Sequence, residues 1–254
     1  MLWMRFSRQR GIEAGVLEGD SVQVYGGSPF DGGRPTGEVL PTNAIQWETP
    51  CAPGKMIALW NNFHAAAAKF ALGIPPEPLY FLKSPNAFCA HGSVIAAPRS
   101  YSGRVLFEGE LGVVIGKTTR NVSVADAVAY IFGYTCVNDV TAVDLLKADP
   151  SFPQWTRAKG FDGFGPFGPI IATDLDPVQL TVRTLVNGKE RQSYPVTDMI
   201  FSPAELVSLI SRDMTLFPGD VISCGTSVGA GSIPSGATVE VHIEGIGTLS
   251  NRYQ

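Results

Sequence analysis

The segment Phe107–Gly116, FEGELGVVIG, restricts the fold more than any other stretch of the chain. Leu111, Val113, Val114 and Ile115 read as a buried strand, yet Glu108 and Glu110 stand at its mouth. Side chains alternate across a strand, so both carboxylates point to one side, separated only by Gly109, which has no side chain of its own. Burying one ionised carboxylate without a partner is unfavourable or forces it to take up a proton, and burying two close together is worse. The pair therefore lies on the exposed face of an edge strand, meets arginines, or shares a cation.

The rest of the chain predicts an α+β, β-rich fold. Its 28 glycines and 19 prolines among 254 residues suit short strands joined by turns. Residues 1 to about 48 read as a small β meander, and the Pro-rich ETPCAPGK (48–55) divides a small N-terminal β domain, 1–50, from a larger domain, 51–254. MIALWNNF (56–63) predicts a strand and HAAAAKFAL (64–72) a short helix ended by Gly73 and Pro75. Ser123, with Asp126 three positions on, is placed to cap a helix over VADAVAYIFG. Asn187-Gly188 marks a two-residue hairpin turn, and Ser202, Pro203 and Glu205 mark a helix start. The loop DPSFPQWTRAKGFDGFGPFGP has the length and Pro/Gly punctuation of a segment that carries binding or catalytic groups.

A net charge of −4 gives no footprint for nucleic acid, and no basic amphipathic stretch points to a membrane surface. No window approaches eighteen consecutive apolar residues, and the N-terminus lacks the apolar core of a secretory signal. Cys51, Cys89, Cys136 and Cys224 are widely spaced, with no C-x-x-C pair, as reduced thiols of a cytoplasmic protein would be. The sequon at Asn121 then marks only a surface turn.

A third carboxylate, Asp139, ends the apolar run YIFGYTCVND, where a strand would deliver it to the rim of a sheet. Three acidic oxygen donors without a cysteine or histidine cluster suit a hard cation, Mg²⁺, Mn²⁺ or Ca²⁺, better than zinc. Such an ion keeps open positions for substrate oxygens.

These residues fall into a larger pattern. Glu108-Gly109-Glu110 and Asn138-Asp139 precede Lys159-Gly160-Phe161-Asp162 through Gly165-Pro166-Phe167-Gly168-Pro169. Pro218-Gly219-Asp220-Val221-Ile222 with Gly225-Thr226 follow. In that order, from about Lys55 to the closing VEVHIEGIGTLSNR, the chain resembles the fumarylacetoacetate hydrolase superfamily. The resemblance implies a mixed β-roll of the fumarylacetoacetate hydrolase C-terminal type and a homodimer. It also implies a divalent ion, Mg²⁺ first, held by Glu108, Glu110 and Asp139, which chelates a small oxo-acid substrate.

By the same resemblance Lys159 is a catalytic lysine held against the substrate, where on its own it reads as a solvated loop lysine. Thr226, with Gly225, matches a substrate-carboxylate contact, where on its own it reads as a tight turn. Lys83, in YFLKSPNAF, aligns with a substrate-side lysine and equally suits a structural surface position. His64 matches the histidine of a His-Glu dyad on a lid helix, but the glutamate position holds Ala67, so it is either a weaker acid–base group or a packing residue. Val143 stands where several members carry an arginine facing the substrate, and Trp155 and Arg157 are candidates to reshape that pocket. His91 and His242 read as structural.

The resemblance thus implies decarboxylation or keto–enol isomerisation of a 2-oxo or 2-hydroxydienoate dicarboxylate in aromatic-compound catabolism. The nearest-looking relatives are the isomerase/decarboxylase enzymes of homoprotocatechuate degradation. The alternatives are hydrolysis of an acylpyruvate or fumarylacetoacetate-type diketone, and an inactive metal-stabilised binding protein.

Overall fold

The computed structural model describes residues 1–9 and 11–254. Strands β1 (Leu2–Arg8), β2 (Gly11–Glu18), β3 (Ser21–Gly26) and β4 (Arg34–Pro41) form an antiparallel meander. β5 (Met56–Trp60) leads into helix α1 (His64–Lys69), and β6 (Leu79–Lys83) returns antiparallel to β5. β7 (Gly109–Ile115), α2 (Val124–Ala127), β8 (Ile131–Asn138), α3 (Trp155–Lys159) and β9 (Gly165–Ala172) follow. The chain ends with β10 (Thr181–Val186), β11 (Lys189–Pro195), α4 (Pro203–Asp213), β12 (Val221–Ser223), β13 (Thr238–Ile243) and β14 (Gly247–Tyr253).

The main sheet runs β4–β3–β2–β1–β9–β8–β7–β12–β5–β6. β1 pairs with β9 through Leu2↔Ala172 and Trp3↔Ile171, so the N-terminal meander lengthens this sheet. Its Met4, Phe6, Val22 and Val24 join Leu111, Val113, Ile115 and Ile170 in one core. A second sheet, β11–β10–β13–β14, packs its Val182, Val241, Ile243 and Leu249 into the same core. The result is the expected β-rich α+β architecture. Among the described residues no helix is long and apolar enough to cross a membrane.

Local chemistry explains the element ends. Asn187 and Gly188 take φ of 51° and 72°, both left-handed, as a two-residue turn matched to strand twist requires. Ser202 and Glu205 form a reciprocal capping box at the start of α4. α1 ends before Gly73: Ala71 takes a left-handed φ of 52°, and the Leu72 N–H closes back on Ala67 O. α2 is also shorter than the sequence predicts. Ser123 does cap it, but the helix gives way to a 3₁₀ turn over Val128–Tyr130, because Ile131 and the residues after it are taken up by β8.

β7 is buried along its whole length between β8 and β12. It is not an edge strand, so exposure does not relieve Glu110.

Candidate metal centre

Register brings the three acids together. Gly109 lies opposite Asn138, so Glu108 falls opposite Asp139, and the Asp139 N–H donates to Glu108 O at 2.8 Å. Residues opposite one another in an antiparallel pair share a face, as do residues two apart. Glu108, Glu110 and Asp139 therefore converge, each offering an oxygen within 4.8 Å of the others. Glu110 and Asp139 are fully buried, and the Glu108 side chain keeps 16% exposure.

Lysines, not arginines, meet this charge. Lys83 Nζ lies 2.5 Å from Asp139 Oδ1. Lys159 Nζ lies 2.9 Å from Glu108 Oε2 and also donates to Asp139 Oδ2. Lys83 is thus no surface residue: its side chain is wholly buried, because β6 turns it inward beneath Asp139. Burial works to raise the Asp139 carboxyl, but the Lys159 and Lys83 ammonium groups beside it hold it below the usual carboxylate range. Burial works to lower the Lys159 ammonium, yet Asp139 and Glu108 raise it above its ordinary value. Burial, with Asp139 and Glu108 adding repulsion, pushes the Glu110 carboxyl well up.

Three carboxylates against two ammonium groups leave one negative charge to be met. Glu110 carries it. Its Oε2 accepts from the Ser223 hydroxyl at 2.5 Å and the Gly225 N–H at 2.8 Å, while its Oε1 is buried with no hydrogen-bond partner among the described residues. A bare, buried carboxylate oxygen facing two further acids has the chemistry of a hard-cation ligand. The residues present fit a divalent ion.

The second sheet and the loop after β12 fix the peptide between the two glutamates. Gly109 N–H donates to Gln192 Oε1 at 3.0 Å, and Gly109 O accepts from the Tyr194 hydroxyl and from Thr226 Oγ1. Gln192 Nε2 in turn donates to Thr226 Oγ1 at 2.8 Å. The hydrogen of the Thr226 hydroxyl is therefore committed to Gly109, and the Gly225 N–H to Glu110. A Cβ at position 109 would lie 2.0 Å from Thr184 Oγ1, so glycine is required between the two glutamates.

Thr141 Oγ1 donates to Glu108 Oε1 at 2.7 Å, and Asn138 Oδ1 accepts from Glu108 N–H at 3.0 Å. The motifs that flank Asp139 and Gly225 contain Thr141, Asn138 and Ser223, though nothing in them marks those side chains. Gln192 and Tyr194 carry no sequence signal at all, being assembled only by the fold.

His64 opens α1, is exposed, and makes no hydrogen bond or ion pair with the acids among the described residues. α1 is anchored beside the site: Asn62 Nδ2 donates to Cys224 O at 2.8 Å, Phe201 N–H donates to Asn62 Oδ1 at 2.9 Å, and Ala65 N–H donates to Asp198 Oδ2 at 3.0 Å. Ala67 is buried and supplies no carboxylate. Trp155 is half-buried against Phe81, whereas Arg157 is exposed. His242 hydrogen-bonds Thr248, and His91 accepts from Ser250 N–H, as structural residues do. A cavity of about 500 Å³ near Tyr134, Leu175 and Met199 shares no residue with the acid cluster.

Comparison with known proteins agrees with this geometry. The fumarylacetoacetate (FAA) hydrolase C-terminal family model matches residues 55–254, and an Rv2993c-like N-terminal model matches residues 1–50. The 2-hydroxyhepta-2,4-diene-1,7-dioate isomerase from Mycobacterium marinum superposes with a TM-score of 0.91 at 38% identity, covering 100% of this chain and 98% of that one. Oxaloacetate tautomerase YisK of Bacillus subtilis is 38% identical over 209 residues, 78% of this chain and 68% of its own length. Fumarylpyruvate hydrolase from Pseudomonas aeruginosa, solved in complex with Mn²⁺ and pyruvate, superposes with a TM-score of 0.73 at 30% identity, covering 79% of this chain and 89% of that one. With its E-x-E strand, opposed aspartate and buried lysine on one such scaffold, the chain belongs to the fumarylacetoacetate hydrolase family.

Proposed function

We propose that the protein is a divalent-metal-dependent enzyme that moves a proton or releases CO₂ next to the carbonyl of a 2-oxo or 2-hydroxydienoate acid. The observation that carries this reading is the buried, unpartnered Oε1 of Glu110, set among two further carboxylates and beside the Lys159 ammonium. Mg²⁺ or Mn²⁺ held by Glu108, Glu110 and Asp139 would supply Lewis acidity to adjacent carboxylate and keto oxygens, lowering the energy of an enolate.

The chain's own groups do the rest. Lys159, beside Glu108 and Asp139, places a positive charge and hydrogen-bond donor where negative charge develops. Lys83 works from beneath, holding Asp139 ionised. Gln192 and Tyr194 hold the Gly109 peptide and so fix the spacing of the two glutamates. Exposed at the start of α1, His64 suits proton exchange. With Ala67 in place of a carboxylate it has no partner on its own helix to hold it for activating water, which favours isomerisation or decarboxylation over hydrolysis.

C–C bond hydrolysis is the second reading, motivated by the likeness to fumarylpyruvate hydrolase. Oxaloacetate, a 2-hydroxydienoate dicarboxylate and an acylpyruvate, each with Mg²⁺ or Mn²⁺, separate the two. Enol–keto conversion or CO₂ release from the first two supports the proposal. Cleavage of the acylpyruvate alone supports hydrolysis and overturns it.

A further inference from the structure

One inference rests on that proposed 2-oxo acid chemistry and concerns the part of the substrate remote from the chelated end. β5 and β6 pair with Met56 opposite Lys83, Ala58 opposite Phe81 and Trp60 opposite Leu79. Opposed residues share a face, as do residues two apart, so Lys83, Phe81 and Trp60 follow one another along one side of the sheet. Exposure rises in the same order: Lys83 is sealed against Asp139, Phe81 is half-buried, and Trp60 is 44% exposed.

Helix α3 meets this face. Trp155 and Lys159, four residues apart, lie on one side of the helix. Both meet Phe81: the Trp155 ring stacks on it at 5.0 Å between centroids and 20° between planes, and the Lys159 ammonium sits 5.0 Å from its centroid. Trp155 also meets Trp60 at 5.6 Å. Three rings therefore make a continuous path from the ammonium that binds Glu108 and Asp139 to the surface at the foot of α1. Arg157, two residues from Trp155 and so on the far side of α3, is exposed and adds no charge to this face.

The geometry points to Trp155, with Phe81 and Trp60, as the surface that recognises the distal part of the substrate, and to a substrate whose planar, conjugated tail makes the contact that a second carboxylate makes in a short dicarboxylate. A flat π system gains from stacking on such rings, and a short acid gains nothing from them.

Calorimetric titration of the Mn²⁺-loaded protein with oxalate, which has no tail, and with 4-phenyl-2,4-dioxobutanoate, which has a planar one, tests this. Trp155→Ala is expected to weaken the aryl ligand about 10-fold more than oxalate, the size of one lost ring contact. Trp155→Phe is expected to restore most of the difference. Trp60→Ala removes a ring that is 44% exposed, which protects the fold, and is expected to lower the same ratio about 3-fold. Equal weakening of both ligands in the Trp155 and Trp60 variants, or no weakening, overturns the inference alone. A wild-type protein that binds neither anion with Mn²⁺ removes the reading beneath it as well.

Discussion

The Lys83 ammonium lies 2.5 Å from Asp139 Oδ1, with both side chains wholly removed from solvent. Taking one partner from a buried ion pair leaves the other uncompensated, at about 3–5 kcal/mol. Asp139 keeps Lys159, so Lys83→Met is expected at the lower end, about 3 kcal/mol less stable by denaturant unfolding in chelator. A loss below about 1 kcal/mol would show that Lys159 alone compensates the aspartate.

Gly109 has no room for a methyl group, its Cβ position lying 2.0 Å from Thr184 Oγ1 and 3.3 Å from Val241 Cγ2. Overpacking of this kind costs about 1–3 kcal/mol and shifts the backbone. Gly109→Ala is expected to lose about 2 kcal/mol or more, and to respond less to Mn²⁺ in a thermal melt because both glutamates move with the strand. A melt and Mn²⁺ response equal to wild type would contradict the clamp.

Gln192 joins the Gly109 N–H to the Thr226 hydroxyl. Gln192→Leu leaves a buried N–H unmet, which costs about 1–3 kcal/mol, and loosens the loop that positions Ser223 and Gly225 against Glu110. Calorimetry should show weaker Mn²⁺ binding together with the lost stability. Wild-type metal affinity in a destabilised variant would make Gln192 a packing residue only.

Alkaline pH should unfold the protein through its thiols. Burial pushes Cys51, Cys89 and Cys136 up from 9.0 to about 12. A group whose folded pKa is raised contributes stability that is complete below its unfolded pKa and lost as pH rises towards the folded value. The melting temperature is therefore expected to hold to about pH 9 and to fall between about 9 and 12. Thiol-reactive dye should label the native protein slowly at pH 8, and rapid labelling of Cys51 or Cys136 would contradict their burial.

What the sequence discloses depends on how local the cause is. The Ser202 cap, the Asn187-Gly188 turn and the shared face of Glu108 and Glu110 each follow from a few adjacent residues. Asp139 is legible too, because β8 delivers it from the end of one apolar run. The counter-charges are not: Lys83 reaches Asp139 across 56 residues and Gln192 reaches Gly109 across 83, through pairings no short pattern announces. The inward turn of Lys83 shows the difficulty. Its short motif reads equally as surface, and only the register of β6 against β5 buries it. α2 stops early for the same reason, since β8 competes for Ile131 and wins through tertiary pairing.

Glu110 is the ligand that would make this cluster a cation site. Glu110→Gln keeps an oxygen to accept from Ser223 and Gly225, so its melting temperature in chelator should match wild type. Mn²⁺ at about 100 times its Kd should then stabilise wild type by about 2.7 kcal/mol and Glu110→Gln by almost nothing. A wild-type melt that ignores Mn²⁺, or a Glu110→Gln melt that rises as far as wild type, would contradict the metal centre.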